Sequence, residues 1–364
     1  MHPPRVSLLG GAVSQRSRGR AALWILALVV GSSAVGLLAV EVGYRWYLHR
    51  RFLHMAGEWS HPLYVMRTDL VAEYELRPNC SMTQTTAAPG EVQWSFTTNS
   101  LGMRGPEIAP GKGPQERRVL FLGDSYAFGW GVGDDETFPS VLQKDLSGAF
   151  AERGEVIVCI NAGIPGYNTV QELDEVVRHS PRLQPDLVVL CYVMNDAEPQ
   201  LTVVANPAVT RAHASSWFLD DLKRWLNIRV GWGFLPVAYQ THDLDYVKGF
   251  RPGHRKAEGS RMALEGIHDH VRGLSAELVV AILPDFTQPF DGSYRLAPIH
   301  EAVREWCRAM DVPVVDVLDA LRGEDSGALQ VPGDGHPNAE AHRRMARALH
   351  PAIVERLAGD RAGA

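Results

Sequence analysis

From residue 118 onward, short apolar runs alternate with longer stretches in which apolar residues recur at helical spacing. A short apolar run that ends in small or polar residues is typical of a buried strand in a parallel sheet. The pattern predicts strands over 118–123, 155–161, 187–194, 277–283 and 313–318. It predicts helices over 137–150, 169–180, 256–274 and 297–310, and a last helix that Asn338 caps. This alternation predicts an α/β fold, a three-layer, doubly wound parallel sheet with helices on both faces.

A different hydrophobic pattern lies near the amino terminus. After a basic segment at 1–20, residues 21–40 form an apolar run of twenty residues without a charge. A helix of this length crosses a bilayer hydrocarbon core of about 30 Å. Aromatic residues follow, as in the belt at a membrane interface: Tyr44, Trp46 and Tyr47. We predict an uncleaved transmembrane helix over 21–40. The alternative is a cleaved signal peptide with small residues at Ser32-Ser33-Ala34, for which the apolar run is long.

Charge is distributed unevenly along the 364 residues. The formal net charge is −6, but residues 1–51 carry seven arginines and one glutamate. The remainder, with 29 basic and 41 acidic residues, therefore has a formal charge of −12. So acidic a body is not expected to bind nucleic acid. Four arginines precede the span and three follow it. Together with the free amino terminus, they favour a cytoplasmic amino terminus and a catalytic body on the extracytoplasmic side of the membrane.

The patterns divide the chain into four parts: a basic segment at 1–20, the span at 21–40, a juxtamembrane and β-rich elaboration at 41–117, and the α/β domain at 118–358, which is interrupted at about 197–255. Within the elaboration, residues 82–86 and 92–98 predict a hairpin around Pro89-Gly90. The elaboration either packs near the ligand-binding edge of the sheet or serves as a spacer above the membrane.

The interruption at about 197–255 is rich in large apolar side chains. They are Trp217, Phe218, Leu222, Trp225, Leu226, Ile228, Trp232 and Phe234. Several of them share one face if the segment is helical. Two interpretations stay open: a packed subdomain, or a lid that forms a wall beside the ligand site.

The four cysteines provide no disulfide framework for a chain of this length. Cys159 and Cys191 lie in strand-like runs and are expected to be buried free thiols, unable to bridge if another strand separates them. His268 and His270 are two residues apart and so lie on different faces of a helix. We predict no metal site and no cofactor.

Three strand ends or loops carry residues suited to nucleophilic chemistry. Ser125 follows the run Val119–Leu122, and Asn195-Asp196 follow the run at 187–194. His336 lies in the loop Asp334-Gly-His-Pro-Asn338. Ligands of open α/β sheets bind outside the carboxyl ends of the strands, where these residues are expected to meet.

Serine, glycine, asparagine and histidine in this order resemble the SGNH, or GDSL, hydrolase family, over roughly residues 115–358. The first block of that family is Gly-Asp-Ser, here Gly123-Asp124-Ser125. The second supplies a glycine, which matches Gly166 in Asn161-Ala-Gly-Ile-Pro-Gly166. The resemblance implies the flavodoxin-like SGNH fold and a serine hydrolase that acts on ester bonds.

This chain departs from the family pattern in two blocks. The third block, Gly-x-Asn-Asp, has Val193 in place of its glycine. The last block, Asp-x-x-His, has Gly333 at the usual place of the aspartate, and Asp334 stands two residues before the histidine. Alternate residues of extended backbone point the same way, so an extended Asp-x-His segment is expected to bring Asp334 to the His336 Nδ1 atom. The alternative is a Ser125–His336 dyad whose ring is oriented by a backbone carbonyl.

The resemblance assigns a role to each matching residue. Ser125 is the nucleophile, His336 the base and Asp334 the acid of a Ser-His-Asp triad. The oxyanion donors are the backbone N–H groups of Ser125 and Gly166 and the side chain of Asn195. His342, six residues after His336, is expected on the surface of the last helix.

Three functions are compatible with these residues. The first is a serine esterase that hydrolyses O-acetyl or other short-chain acyl esters, on a glycan or lipid of the cell envelope. The second is an O-acyltransferase that modifies an exported polysaccharide, since proteins of alginate O-acetylation also place aspartate two residues before histidine. The third is a catalytically silent binding module at the envelope.

Overall fold

The computed structural model describes residues 12–58, 62–67, 74–85, 93–198, 216, 218–219, 222, 246–251 and 253–359. These residues fall into two compact units. One unit is drawn from residues 1–58 and 204–241, and the other from residues 59–203 and 242–364.

The first unit contains one long helix, α1, from Ala12 to Glu58. Its stretch Ala22–Arg50 is long and apolar enough to cross a membrane. Large apolar side chains are exposed along this stretch, Leu23 by 66% and Leu38 by 63%. A helix that is apolar all round is typical of a membrane span. A signal sequence near the amino terminus would share this length and composition.

The second unit begins with two small antiparallel strand pairs. Strand β1 (Tyr64–Met66) pairs with β2 (Tyr74–Leu76), and β3 (Ser81–Thr85) pairs with β4 (Gln93–Thr97). The second pair corresponds to the predicted hairpin at 82–86 and 92–98. The predicted Pro89-Gly90 turn lies outside the described residues.

A parallel sheet forms the centre of the second unit. Its described strands are β5 (Glu116–Gly123), β6 (Val156–Asn161), β7 (Leu187–Tyr192), β8 (Glu277–Ile282) and β9 (Val314–Asp316). Their order is β6-β5-β7-β8-β9. Every residue of β7 is buried, which explains its uninterrupted apolar sequence, since both faces of an inner parallel strand are covered by helices.

Helices connect these strands. They are α2 (Ser125–Phe128), α3 (Phe138–Phe150), α4 (Thr169–Leu183), α5 (Tyr246–Gly249), α6 (Arg255–Gly273), α7 (Ala297–Ala309), α8 (Val317–Leu321) and α9 (Ala339–Gly359). Short 3₁₀ turns lie at Ala151–Arg153 and Gly327–Leu329. Helix α3 packs against α9, and α4 packs against α6.

The strand order reverses direction after β6, because the chain moves outward from β5 to β6 and then crosses back to β7. Crossover connections between parallel strands are right-handed, so this reversal puts α3 and α4 on opposite faces of the sheet. The predicted doubly wound, three-layer sheet is confirmed. The reversal opens a crevice at the carboxyl ends of β5 and β7, the place where such sheets bind ligands.

Local capping explains most helix starts. The Thr137 side chain accepts a hydrogen bond from the Ser140 N–H, with Pro139 in the first turn of α3. Asn338 accepts a hydrogen bond from the Ala341 N–H at the start of α9. The predicted strand at 313–318 is shorter in the structure, because the Asp316 side chain accepts a hydrogen bond from the Leu318 N–H and starts a helix there.

His342 is not a surface residue, and that prediction is wrong. Its side chain is fully buried, its ring stacks on Phe138, and its Nδ1 atom accepts a hydrogen bond from the Phe138 N–H at 3.2 Å. Burial lowers the pKa of His342 to about 3, so the ring is neutral and serves as a polar joint between α9 and α3.

The β-rich elaboration packs against the loops at the carboxyl ends of the strands. This edge of the sheet carries the predicted site residues and is called the active edge below. A buried cluster joins its side chains to those of the α/β domain: Leu63, Tyr74, Leu76, Trp94, Phe96, Phe128, Ile164 and Tyr167. The Tyr74 hydroxyl donates to the Pro165 carbonyl at 2.7 Å, next to Gly166. Packing near the active edge, and not a spacer role, therefore describes this part of the elaboration.

Arg104 fastens the elaboration to the segment that follows Ser125. Its guanidinium pairs with Asp134 at 2.9 Å and donates to the carbonyl oxygens of Phe128, Gly129 and Val132. The side chain is almost fully buried, and hydrogen bonds to several acceptors at once offset the cost of burying its charge.

Cys159 and Cys191 are free thiols. Cys159 lies on β6 and Cys191 on β7, with β5 between them. This separation means that the two sulfur atoms cannot bridge without moving the sheet. Cys191 is buried as expected, whereas Cys159 is only partly buried.

Gly163 permits the closest backbone approach at this edge. A Cβ atom at Gly163 would lie 2.3 Å from the Phe128 nitrogen and 2.7 Å from the Ala127 carbonyl carbon. We expect Gly163→Ala to lower the free energy of unfolding by about 1–3 kcal/mol, because backbone must move to admit the methyl group. Denaturation of the full-length protein in detergent measures the change.

Gly148→Ala is the matched control, since a Cβ atom there meets nothing within 4 Å. Gly148 lies inside α3, where alanine is expected to stabilise the chain by about 0.5–1 kcal/mol. Equal effects of the two substitutions would contradict the close approach.

Candidate active site

Ser125 and Asn195 face the crevice at the carboxyl ends of two neighbouring strands. Ser125 follows β5 and Asn195 follows β7, and both are half-buried. Gly123, the last residue of β5, has φ of 153°, and a Cβ atom there would lie 2.7 Å from the Ala127 side chain. Glycine therefore lets the chain turn sharply away from the sheet and present Ser125.

The structure brings Ser125, His336 and Asp334 together. The Ser125 Oγ and His336 Nε2 atoms are 2.9 Å apart, although 211 positions separate the two residues. The His336 Nδ1 atom bonds to the Asp334 carboxylate. Both side chains of this second pair remain partly exposed, His336 by 25% and Asp334 by 22%. The order acid, imidazole and hydroxyl is the arrangement that activates a serine.

The Asp334–His336 bond forms by a different route from the extended segment predicted. Gly335 has φ of 85° and Gly333 has φ of 72°, so the loop turns through the left-handed region twice. The Asp334 N–H donates to the Val331 carbonyl at 3.1 Å, which closes the turn. Gly333 occupies the usual place of the family aspartate, in a conformation that a side chain adopts with strain. The carboxylate therefore stands at the next position.

The residues predicted as oxyanion donors follow the carboxyl ends of β5, β6 and β7. Gly166 is half-buried in the loop after β6, with φ of 83°. Within the described residues, neither the Ser125 nor the Gly166 backbone N–H donates to another group of the chain. The Asn195 side-chain nitrogen donates to the Asp124 carboxylate at 3.2 Å and carries a second hydrogen.

Asp124 joins the nucleophile to Asn195, a role that the sequence analysis did not assign. One carboxylate oxygen accepts from the Tyr126 N–H at 2.8 Å, and the other lies 3.4 Å from the Ser125 hydroxyl and 3.2 Å from the Asn195 nitrogen. Burial raises the pKa of Asp124, while hydrogen bonds and the nearby His336 oppose that rise. In the sequence, the only sign of this role was a carboxylate directly before Ser125, at the end of a buried strand.

Two aromatic side chains flank the His336 imidazole. Tyr126 makes an edge contact at 5.5 Å between ring centroids, and Trp130 lies at 6.2 Å. Trp130 is half-buried, and its backbone N–H donates to the Ser125 carbonyl at 3.0 Å. Its ring also contacts Trp94 of the elaboration. The elaboration therefore supports one wall of the crevice.

The segment at about 197–255, predicted as a lid or a packed subdomain, lies mostly outside the described residues. Of the apolar side chains predicted to form a lid or a packed subdomain, only Phe218 and Leu222 lie within the described residues. All the described residues together contain no group of three or more histidine, cysteine, aspartate or glutamate side chains that could hold a metal ion.

The chain is similar to one known protein family and to several solved structures. A model of the GDSL-like lipase/acylhydrolase family matches residues 121–344. Among solved structures, TesA is 17% identical, with 66% of this chain and 99% of that chain covered and a TM-score of 0.42. The psychrotrophic esterase EstA from Pseudoalteromonas sp. is 15% identical, with coverages of 67% and 100% and a TM-score of 0.39. The acetylxylan esterase Axe2 from Geobacillus stearothermophilus is 16% identical, with coverages of 69% and 96% and a TM-score of 0.40.

No match was found among curated proteins. The family match covers more than half of the chain and includes the segments that carry Ser125, Asn195 and His336. The chain therefore belongs to the GDSL-like lipase/acylhydrolase family and is an ester-hydrolysing serine hydrolase.

Proposed function

We propose that this protein hydrolyses O-acetyl or other short-chain acyl esters at the cell envelope through a Ser125-His336-Asp334 triad. The observation that carries the proposal is the unbroken hydrogen-bonded series from the Asp334 carboxylate through the His336 ring to the Ser125 hydroxyl. A serine hydroxyl becomes an effective nucleophile only when a neighbouring base takes its proton.

The first half of the reaction forms an acyl-enzyme. The Ser125 Oγ atom attacks the ester carbonyl carbon while the His336 Nε2 atom takes the hydroxyl proton. Asp334 accepts the Nδ1–H of His336 and stabilises the imidazolium that results. The negative charge that develops on the carbonyl oxygen is met by the Ser125 and Gly166 N–H groups and the Asn195 amide. The imidazolium then gives its proton to the leaving alcohol.

The second half repeats these steps with water. The His336 ring removes a proton from a water molecule, which attacks the acyl-enzyme carbonyl and releases the acid. If a sugar hydroxyl replaces water as the acceptor, the same residues transfer the acyl group instead. Transfer to an exported polysaccharide is therefore the second candidate, supported by the short Asp-x-His spacing.

Retention of α1 as a membrane anchor is the second part of the proposal. Within the first unit, Glu41 directly follows residues 21–40, the charge-free run of α1. Its carboxylate accepts from the Ser216 hydroxyl at 2.7 Å, the Phe218 N–H at 3.2 Å and the Arg45 side chain at 2.6 Å. The Tyr44 ring also meets the Phe218 ring edge-on at 5.6 Å.

A helix that is cleaved after export does not need contacts with a segment far along the chain. These contacts support a single-pass protein that keeps α1. A domain anchored in this way would draw its ester substrate from a glycan or lipid near the membrane. The excess of arginines before the span supports a catalytic domain on the extracytoplasmic side.

The Ser125→Ala variant tests the nucleophile. We expect it to lose fluorophosphonate labelling and to lower kcat on p-nitrophenyl acetate by about 10³-fold or more, because the triad acts as a unit. Ser147→Ala, which removes an exposed hydroxyl from α3, is the control and should match the wild type.

Labelling with turnover in water supports the esterase. Labelling with little turnover until a sugar acceptor is added supports the transferase, and a wild type that does not label would leave only the binding module. Wild-type turnover by Ser125→Ala would contradict the enzymatic mechanism.

Asp334→Asn tests the acid. We expect kcat to fall on the order of 10⁴-fold with the fold intact, because the amide favours the wrong tautomer of the His336 ring. Asp269→Asn, which neutralises a carboxyl that is 73% exposed on α6, controls for the change in net charge. A variant that keeps more than about a tenth of the wild-type kcat would establish the Ser125–His336 dyad instead.

The anchor has its own test. A reporter fused after Ala364 should be active outside the cytoplasm, and the full-length protein should stay in the membrane fraction after an alkaline wash. The same fusion without residues 21–40 should be soluble and inactive outside the cytoplasm. If the full-length gene instead yielded a shortened, soluble protein, the span would be a cleaved signal.

A further inference from the structure

Behind Ser125 and Asn195 lies a group of three buried carboxyl groups that the mechanism above does not use in full. Asp124 follows β5, Asp196 follows β7, and Glu172 projects from α4. Their residues are 3%, 1% and 1% exposed, respectively. We refer to these three side chains as the acid cluster.

The members of the acid cluster repel one another. The charges of Asp196 and Asp124 add to the effect of burial and raise the pKa of Glu172 well above its usual range. Burial and Asp124 also raise the pKa of Asp196, while hydrogen bonds from Val193 and Thr169 oppose that rise. Among the described residues, Glu172 also interacts with the thiol of Cys191 and the hydroxyl of Tyr192. Burial and the repulsion between like charges therefore favour the protonated form of at least one member of the acid cluster.

Hydrogen bonds locate that proton. Asp124 accepts bonds on both oxygens, and one oxygen of Asp196 accepts from the Val193 N–H at 2.6 Å. The second oxygen of Asp196 and both oxygens of Glu172 have no hydrogen-bond partner among the described residues. Donors stabilise a carboxylate, and Glu172 has none, so Glu172 is the member that stays protonated.

Asp196 determines the shape of the turn that carries Asn195. Its N–H donates to the Val193 carbonyl at 3.2 Å, and its carboxylate accepts from the Val193 N–H, so two bonds close the turn around Asn195. Next to it, Thr169 and Tyr192 both bond to the Ser260 hydroxyl. This neutral network fixes α4, β7 and α6 around the turn.

We propose that Glu172 is a positioning residue, a neutral acid that donates a hydrogen bond to the unpartnered oxygen of Asp196 and so holds the Asn195 amide at the oxyanion. This inference rests on the proposed function. A charged Glu172 would repel Asp196, loosen the turn and oppose the negative charge that develops on the substrate oxygen.

Replacement by glutamine and by methionine tests the proposal. Glu172→Gln stays neutral and keeps a donor at every pH, whereas Glu172→Met is neutral but cannot donate. We expect the wild-type kcat to fall on the alkaline side as the acid cluster loses its proton, and Glu172→Gln to keep its kcat to higher pH. Glu172→Met should lower kcat at least about tenfold with little change in KM, a part of what loss of one oxyanion donor costs.

Glu175→Gln is the matched control. Glu175 is a second buried carboxyl of α4, but it pairs with Arg178 and not with the acid cluster. This variant should keep the alkaline fall in kcat. An alkaline fall in Glu172→Gln identical to that of the wild type, or a wild-type kcat in Glu172→Met, would overturn the positioning role.

A stability measurement keeps the inference separate from catalysis. The pKa of Glu172 is raised on folding, so the folded chain binds a proton that the unfolded chain has released. The wild-type free energy of unfolding should therefore fall as pH rises above the ordinary pKa of a glutamate, about 4.3, and Glu172→Gln should lack this part of the slope. The same slope in both proteins would show that Glu172 is not protonated in the folded chain. That result would stand whether or not Ser125→Ala had abolished activity.

Discussion

The close approach of two loops at the edge of the sheet decides where the other parts of the site can lie. The loop after β6 touches the turn after β5 at Gly163, where only hydrogen atoms fit against the backbone of Ala127 and Phe128. The Asn161 side chain bonds across the same gap to the Ala127 carbonyl at 2.9 Å. Because the two loops meet there, the loop that carries Gly166 is held beside the turn that carries Ser125. A wider gap would separate the two segments on which the proposed oxyanion site depends.

Much of this arrangement is predictable from the sequence, for a physical reason. Strand ends and caps are local, so the short buried runs, Thr137 and Asn338 indicate their own structure, and a parallel sheet brings its carboxyl ends to one edge. The residues missed depend on partners that are distant in sequence. Arg104 resembles any loop arginine until the carbonyl oxygens of Phe128, Gly129 and Val132 surround it. His342 resembles any polar residue of a surface helix until Phe138 covers it.

Glu172 shows the limit of hydrophobic periodicity most clearly. It lies between Thr169 and Val176 on the buried side of α4, in a position that the helical repeat assigns to the core. Its side chain gives no apolar signal at that position, because hydrophobic periodicity counts apolar residues and carries no information on protonation. An uncharged carboxylic acid behaves as a small polar amide does, and a core can accept it. The sequence contains the residue but not its protonation state.

The left-handed backbone at Gly333 couples the position of the acid to the shape of this loop. The family pattern has an aspartate at that position, and this chain has a backbone conformation there that disfavours most residues with a side chain. A carboxylate at position 333 would start from a different point of the turn that the bond from the Asp334 N–H to the Val331 carbonyl closes. The two spacings therefore belong to two different turns, and the backbone angles of this loop suit the shorter one.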